Sequence, residues 1–507
     1  MDTVAHRTGP AAGRLWDPVP GEFDIPLTEI TGTLPAGLTG TLYRNGAGRW
    51  NVGSTVLDCL FDTDGMVSAF VLDGRGVRFR NRFVRTRQYV RGERAGRMTT
   101  RGIGRQRPGG VAGNALRGPA NTANTNVLVH NDRLLALWEA GRPHELDIDT
   151  LETLGTTDLG GALKGVLGAY SAHYCHDPAT GSVVNFGFDP YLPRLDLRRF
   201  RDASGGRERL RLLRELLGEA RPRLRLRLYE TDRSGVTRYL RSAPLPAMCF
   251  VHDMALTPTH AIFAATPWRI DPLPILAGTS SMLDALHFAP GVPAYFLLVP
   301  RAGGPVRMVE TDPFFVIHFV NAYEDRGDVV IDLVRYGPED FPAAKAFFAD
   351  VRSAPATTGV LTRYRVRPTG GISAEPLSDA GCEGPQFDQR RATRRHDVSY
   401  AIARTDPAGA ALGPGFGIAR FDHRNDTTST FITADDGLIE PVFVPRSPGA
   451  AEDDGWILTV GYHAPRQRSR LMIFDAAHLP DGPVAEAWLP FHLPVSFHGA
   501  FTPRIAT

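Results

Sequence analysis

Short alternations of apolar and polar residues, punctuated by glycine and Asx turns, recur along nearly the whole chain and restrict its fold more than any other feature. In FDTDGMVSAFVLDGRGVRFRNRFVRT, Phe61 to Thr86, a turn leads into two alternating strands linked through Asp73-Gly74. TNVLVHNDRLLALWEAG, GSVVNFGFD, HAIFAAT, AYFLLVPR, GDVVIDLVRY, TRYRVRP and GWILTVGYH repeat the pattern. Successive side chains of a strand point to opposite faces, so each segment reads as a strand with one or both faces buried. GTLYRNGAG, Gly40 to Gly48, reads as a short strand broken by an Asn-Gly turn. With hardly a helical period among them, these segments favour a propeller, barrel or sandwich over a parallel α/β design. No tidy repeat of about 40 residues selects one of the three.

A length of 507 residues alone suggests several domains, but 53 glycines, 40 prolines and many short strands allow one large β domain. The expected division is a Pro- and Gly-rich strap over residues 1–35, lying on the folded body of residues 36–507. Three insertions interrupt the rhythm. Residues 91–120 are basic and Gly-rich, a long loop expected to move when nothing is bound. Residues 195–228 hold an amphipathic helix candidate, with Leu210, Leu213 and Leu217 on one face, and then the alternation RLRLRL, which reads as an edge strand or as a basic, leucine-rich lip at a membrane surface. Residues 271–291, apolar yet rich in turn formers, read as a hydrophobic mouth loop.

The net charge of +2 gives no single-sign surface for nucleic acid, and with only Lys164 and Lys345 as lysines the positive charge is almost all arginine. Four dispersed cysteines without a CxxC pair read as free thiols in a reducing compartment. The N-terminus lacks the apolar core of a signal peptide, and no run approaches the roughly 20 apolar residues of a membrane span. A cytoplasmic protein, at most peripheral to a membrane and monomeric, is expected.

FFVIHFVNAYED, Phe314 to Asp325, places His318 inside an apolar strand that is expected to end in a turn at Asn321. Alone, such an imidazole is usually a hydrogen-bonded core residue. His173, His252 and His498 share its setting, each beside a short strand. They lie too far apart for a local zinc motif, but inner strands of a propeller could bring them together on the axis.

The words around these histidines resemble the carotenoid cleavage oxygenase family, also called the retinal pigment epithelial membrane protein family. GTLYRNGAG, FDTDGM, FRNRFVRT, ANTNVLVH, LLALWEAG, SAHYCHDPATG, VHDMALTPTHAIF, FFVIHFVNAYED, EPVFVPR, LMIFDA and SFHGAF follow the family's order over nearly the whole length. The resemblance implies an all-β, seven-bladed β-propeller, with loop and helical insertions forming a dome over an axial non-haem Fe(II) held by His173, His252, His318 and His498. His176 is set aside because the pattern of His173 with Asp177-Pro178 selects His173. It further implies carboxylates behind the histidines at Glu139, Glu383 and Glu440, and a threonine, Thr125, beside the open side of the metal. A ligating imidazole presents one nitrogen to the metal while its other N–H needs an acceptor, which a carboxylate supplies.

With four imidazoles, an octahedral ion keeps two positions for O2 and water, unlike the two-histidine, one-carboxylate sites. No nicotinamide, flavin or other organic cofactor motif is evident. The implied reaction is cleavage of one C=C bond of a conjugated lipophilic substrate by O2 into two carbonyl products. Stilbene-cleaving members carry a lysine where this chain has Trp138, so an apocarotenoid or carotenoid is favoured, with Tyr89 available to a terminal hydroxyl. Thr63 for a usual glycine, Cys59-Leu60 for His-Trp and Ser496 for glycine mark a divergent branch. Cleavage of a stilbene or a vinyl or propenyl phenol is the alternative. Polyene isomerisation and a propeller that binds a lipophilic ligand without turnover are the further ones.

Overall fold

Seven blades of four or five mostly antiparallel strands surround a common axis in the computed structural model, four of them as separate sheets and three within one 13-stranded sheet. It describes residues 14–165, 167–192, 211, 222–352, 357–404 and 415–507. The first blade runs outward from Ser496–Thr502 through Gly40–Arg49, Asp64–Leu72 and Val77–Phe83 to Asp24–Leu27. Its innermost strand comes from the end of the chain and the others from the beginning, so this blade closes the ring. The next three blades start at the inner strands Asn126–His130, Tyr174–Asp177 and Ala255–Leu256.

The last three blades share one continuous sheet. Ile372–Phe387 makes the join: Ile372 to Pro376 pair with Gly359–Val366 at the outside of the fifth blade, and Cys382 to Phe387 pair with Val398–Arg404 at the inside of the sixth. The seventh blade begins at Val442–Pro445 and ends with Glu29–Gly32 along Pro483–Trp488. Residues 24–32 thus edge both blades that flank the closure.

Apolar faces of neighbouring blades form the core. Between the third and fourth, Phe186, Leu226 and Leu228 pack on Phe263, Leu297 and Val299. The dome has its own core, in which Phe61, Ile103, Phe250, Trp268, Phe315 and Phe348 join insertions to the inner strands. No helix among the described residues is long and apolar enough to cross a membrane.

Several local expectations are corrected. Gly40–Arg49 is one unbroken strand, with no turn at Asn45-Gly46. The Asn45 amide donates instead to the carbonyls of Ala123 and Asn126, and Gly46 lies against the closing strand. Phe315–Asp325 runs on through Asn321 and turns at Arg326-Gly327, both at positive φ. RLRLRL belongs to Arg223–Thr231, which is paired on both sides and is no edge strand. Its leucines are buried, while Arg225 pairs with Asp189 and Arg227 stacks on Tyr239.

Residues 91–120 are partly helical, holding the end of Arg87–Ala95 and all of Gly110–Asn114. Thr86 caps the first by accepting from Tyr89 N at 3.1 Å, and Gly96 ends it in the left-handed region. Residues 271–291 hold the helix Pro272–Ala277 and the strand Leu286–Phe288. The helix candidate at Leu210, Leu213 and Leu217 lies outside the described residues.

Candidate metal centre

One side chain from each blade reaches the axis. His498 comes from the first, Glu139 from the second, His173, His252 and His318 from the third to fifth, and Glu383 and Glu440 from the sixth and seventh. The histidines lie within three residues of the starts of inner strands, so these strands carry them to one level. Their ligand nitrogens lie within 4.8 Å of one another. That spread is close to the about 4.2 Å spanned by two opposed metal–imidazole bonds of about 2.1 Å.

His318 owes its direction to a bulge. The pairing of its strand skips between Val316 and Phe319 and again before Asn321, leaving His318 without a cross-strand partner. The freed N–H of Phe319 donates to Asp253 Oδ2 at 2.8 Å, and the other oxygen of Asp253 accepts from Met254 N. Asp253 therefore ties the His252 segment to the His318 strand.

Three carboxylates stand behind three of the rings. His318 Nδ1 meets Glu383 Oε1 at 2.6 Å, and His498 Nδ1 meets Glu440 Oε1 at 2.8 Å. Glu139 Oε1 lies 3.3 Å from His252 Nδ1 and 3.7 Å from His173 Nε2 without a hydrogen bond. The carboxylates differ in what holds them. Glu440 also accepts from Gln386, Gly499 N and the buried Arg44 guanidinium, and Glu383 from Gly384 N and the Tyr336 hydroxyl.

The electrostatics follow that difference. Burial lowers His318, but Glu383 and Asp253 overcome this and raise it to about 9. Burial also lowers His498, and Glu440, whose charge Arg44 shares, does not reverse the shift. Burial and neighbouring imidazoles push His173 and His252 well down, which keeps them in the neutral, ligating form. Burial pushes Glu139 up to about 8.

The arrangement fits a divalent ion. His318 Nε2, turned away from Glu383, and His173 Nε2 are buried and have no hydrogen-bond partner. Convergent imidazoles backed by Glu139, Glu440 and the partly buried Glu383 supply both the lone pairs and the countercharge.

Thr125 is buried directly before the inner strand Asn126–His130, its hydroxyl on Asn124 Oδ1. Trp138 is buried beside Glu139, its indole N–H without a partner. Tyr89 sits in the helix Arg87–Ala95, stacked on Phe83 with the guanidinium groups of Arg49 and Arg85 over its ring. Its described contacts are with these groups and not with the histidines. A cavity of about 550 Å³ reaches His173, His318, His498 and Glu440 along the downstream parts of the inner strands. Arg44, Asp253, Tyr336 and Gln386 were missed from sequence. Arg44 lies within a matching motif and Asp253 follows His252 directly, but nothing in the sequence joins Tyr336 to Glu383.

A seven-bladed propeller with four histidines converging on its axis and carboxylates behind them defines a class of axial-site propellers. The model of the retinal pigment epithelial membrane protein family matches residues 16–503, and the chain belongs to that family, the carotenoid cleavage oxygenases. It is 34% identical over 490 residues to the apocarotenoid-15,15'-oxygenase of Synechocystis, covering 95% of this chain and 94% of the relative. The isoeugenol monooxygenase of Pseudomonas nitroreducens is 30% identical, over 95% of this chain and 96% of the relative. The crystal structure of cobalt-substituted Synechocystis ACO superimposes with a TM-score of 0.82 at 33% identity, covering 96% of this chain and 98% of that one.

Proposed function

We propose that this protein is a non-haem iron oxygenase that cleaves one C=C bond of an apocarotenoid or carotenoid with O2, giving two carbonyl products. The observation that carries the reading is the convergence of His173, His252, His318 and His498 within 4.8 Å. These four would hold one Fe(II) per chain. When bound, the ion supplies the electrons that make O2 reactive toward an electron-rich alkene. Both oxygen atoms end in the two carbonyl groups, so the overall change balances without an organic reductant.

The chain's own residues orient and shield. Glu383 and Glu440 hold the ring N–H groups of His318 and His498, Glu139 lies beside His252 and His173, and the three offset the ion's charge. Buried Trp138 directly precedes Glu139, buried Thr125 is tied to the same segment by its N–H on Leu137 O, and the apolar dome core at Phe250 and Phe315 keeps water from the neighbourhood of His252 and His318. No side chain is required to carry a proton.

A lipophilic substrate would be drawn from a membrane surface that the dome touches peripherally. Supporting this are exposed Val111, Leu273 and Leu276 on two short helices and Leu116 just past the end of the first, where Leu116 N donates to Leu276 O. Buried Arg101 fastens the same helices through the carbonyls of Asn114, Arg117, Ile275 and Ser280. The isoeugenol monooxygenase relative, similar over nearly its whole length, favours a propenyl phenol as the second reading.

The test incubates iron-loaded protein with apocarotenals, stilbenes and propenyl phenols under labelled O2 and identifies products by mass. Two carbonyl fragments from an apocarotenal are expected. Cleavage of propenyl phenols alone would move the assignment to the second reading. No stoichiometric iron in the purified protein, or full turnover by His498→Ala, would defeat both.

A further inference from the structure

We infer that Tyr336, which touches neither the histidines nor the cavity, is a positioning residue for the metal centre: its hydroxyl orients Glu383 and through it His318. The inference rests on the metal reading above. Tyr336 lies in Asp328–Tyr336, the second strand of the fifth blade, while Glu383 begins the inner strand of the sixth. The two meet only because these blades adjoin.

The hydrogen bonds have one consistent direction. A carboxylate can only accept, so the Tyr336 O–H must donate to Glu383 Oε2. Glu383 Oε1 accepts from Gly384 N at 2.9 Å and from His318 Nδ1 at 2.6 Å. The proton of His318 is thereby fixed on Nδ1, leaving the Nε2 lone pair for a metal. Oε1 has two donors, whereas Tyr336 is the only described donor to Oε2. Without it, one oxygen of a partly buried carboxylate loses its described donor, and the group is free to turn about its terminal torsion.

The tyrosine itself is held with little play. It is 2% exposed and stacks on Phe315, with ring centroids 4.6 Å apart and planes 11° from parallel. Phe315 stacks in turn on Trp268 at 4.4 Å. On another side lies Gly359, where an added Cβ would stand 2.9 Å from Tyr336 Cε2, so the glycine makes room for the ring. The three carboxylates are thus held by unlike partners: a cation and neutral donors for Glu440, neutral donors alone for Glu383, and no described donor for Glu139 Oε1. Tyr336 sets the middle case.

The test uses the full-length protein with Co(II) as the probe, bound in competition with a chromophoric chelator and followed by its visible absorption. Tyr336→Phe is expected to weaken Co(II) binding by about tenfold or more and to shift the ligand-field bands. Tyr400→Phe removes another buried tyrosine hydroxyl, the one on the Ala476 carbonyl, and is expected to change neither. In a Glu383→Gln background the Tyr336→Phe change is expected to have little further effect, because the pathway is already cut.

Wild-type affinity and spectrum in Tyr336→Phe, or full additivity with Glu383→Gln, would overturn the inference while leaving the metal reading intact. Failure of the wild-type protein to bind stoichiometric Co(II) would overturn both. Should Tyr336→Phe not fold, 3,5-difluorotyrosine at position 336 keeps the shape and strengthens the donor. A shifted Co(II) spectrum is then expected, and an unchanged one sinks the inference.

Discussion

Arg44 shows how much of the centre depends on one side chain outside the ligand set. It is 1% exposed and donates to Glu440 Oε2 and to the carbonyls of Glu440 and Phe497, which brackets the strand carrying His498. Breaking a buried ion pair from one side leaves the other charge uncompensated, a cost of about 3–5 kcal/mol. Arg44→Met should lose stability of that order in urea denaturation, and Arg44→Met with Glu440→Leu should recover part of it, because neither charge then remains. The double variant should still bind metal poorly, since His498 has lost its acceptor. Glu139 predicts the opposite balance. Its Oε1 is buried without a hydrogen bond and burial pushes its pKa up to about 8, so at neutral pH the metal-free carboxyl is mostly protonated and Glu139→Gln removes little charge. The metal-free variant should melt no lower than wild type, while its Co(II) affinity falls. A lower metal-free melting temperature with unchanged affinity would show Glu139 to be structural only.

At the level of elements, the propeller is fixed at places where strands or loops approach too closely for a side chain. A Cβ on Gly46 would lie 2.3 Å from Ser496 Cα and 2.8 Å from the Val495 oxygen, both backbone atoms of the closing segment. Gly46→Ala should therefore part Gly40–Arg49 from Ser496–Thr502, costing about 1–3 kcal/mol or more and loosening His498; a melting temperature within error of wild type would count against this. Asn45-Gly46 resembles a hairpin turn in sequence because local chemistry is the same, and only the arrival of the C-terminal strand shows why the glycine is there.

Asp62, at the end of the short helix Leu60–Asp62, makes a similar junction with the dome. Its Oδ1 accepts from Ile103 N at 2.6 Å and Gly104 N at 3.4 Å, its Oδ2 has no partner, and Arg105 and the Cys59 thiol are the charged and titratable groups facing it. Burial raises its pKa to about 6 against the pull of these N–H groups. Between about pH 4 and pH 6 the folded state binds more protons than the unfolded one, so this group's contribution to stability falls as pH rises through that window. Asp62→Asn keeps an acceptor for both N–H groups without the charge. Its stability relative to wild type should rise from near zero at pH 4 by up to about 3 kcal/mol above pH 6. A difference independent of pH would refute the assignment of this titration to Asp62.

For the molecule as a whole, what the sequence conveyed and what it withheld divide along contact range. The four histidines and Glu139, Glu383 and Glu440 stand in short local words, including GCEGPQFD, where Gly384 occupies the left-handed region at φ 59° and donates to Glu383 itself. Blade number was not legible from periodicity, because insertions make the blades unequal in length. The helix Arg87–Ala95 was hidden because charged residues occupy most of its surface and no apolar stripe marks it. Tyr336 and Arg44 act across blade boundaries, and such pairings exist only once the ring has closed.

Closure and metal binding are then coupled. His498 lies on Ser496–Thr502, whose only strand partner among the described residues is Gly40–Arg49, whereas His173, His252 and His318 belong to three other blades. An ion held by all four ties the closing strand to blades with which it shares no sheet. Binding to the folded state alone stabilises by about 2.7 kcal/mol at a free concentration one hundred times the dissociation constant. Chelation should therefore lower the melting temperature, and hydrogen exchange should speed up most at residues 496–502, the closing strand that the ion links to the other ligand-bearing blades. Outer strands such as Asp24–Leu27 should exchange at the same rate with and without the ion. Equal protection of residues 496–502 in both forms, measured by mass spectrometry of peptic fragments, would mean that the ring closes through packing alone.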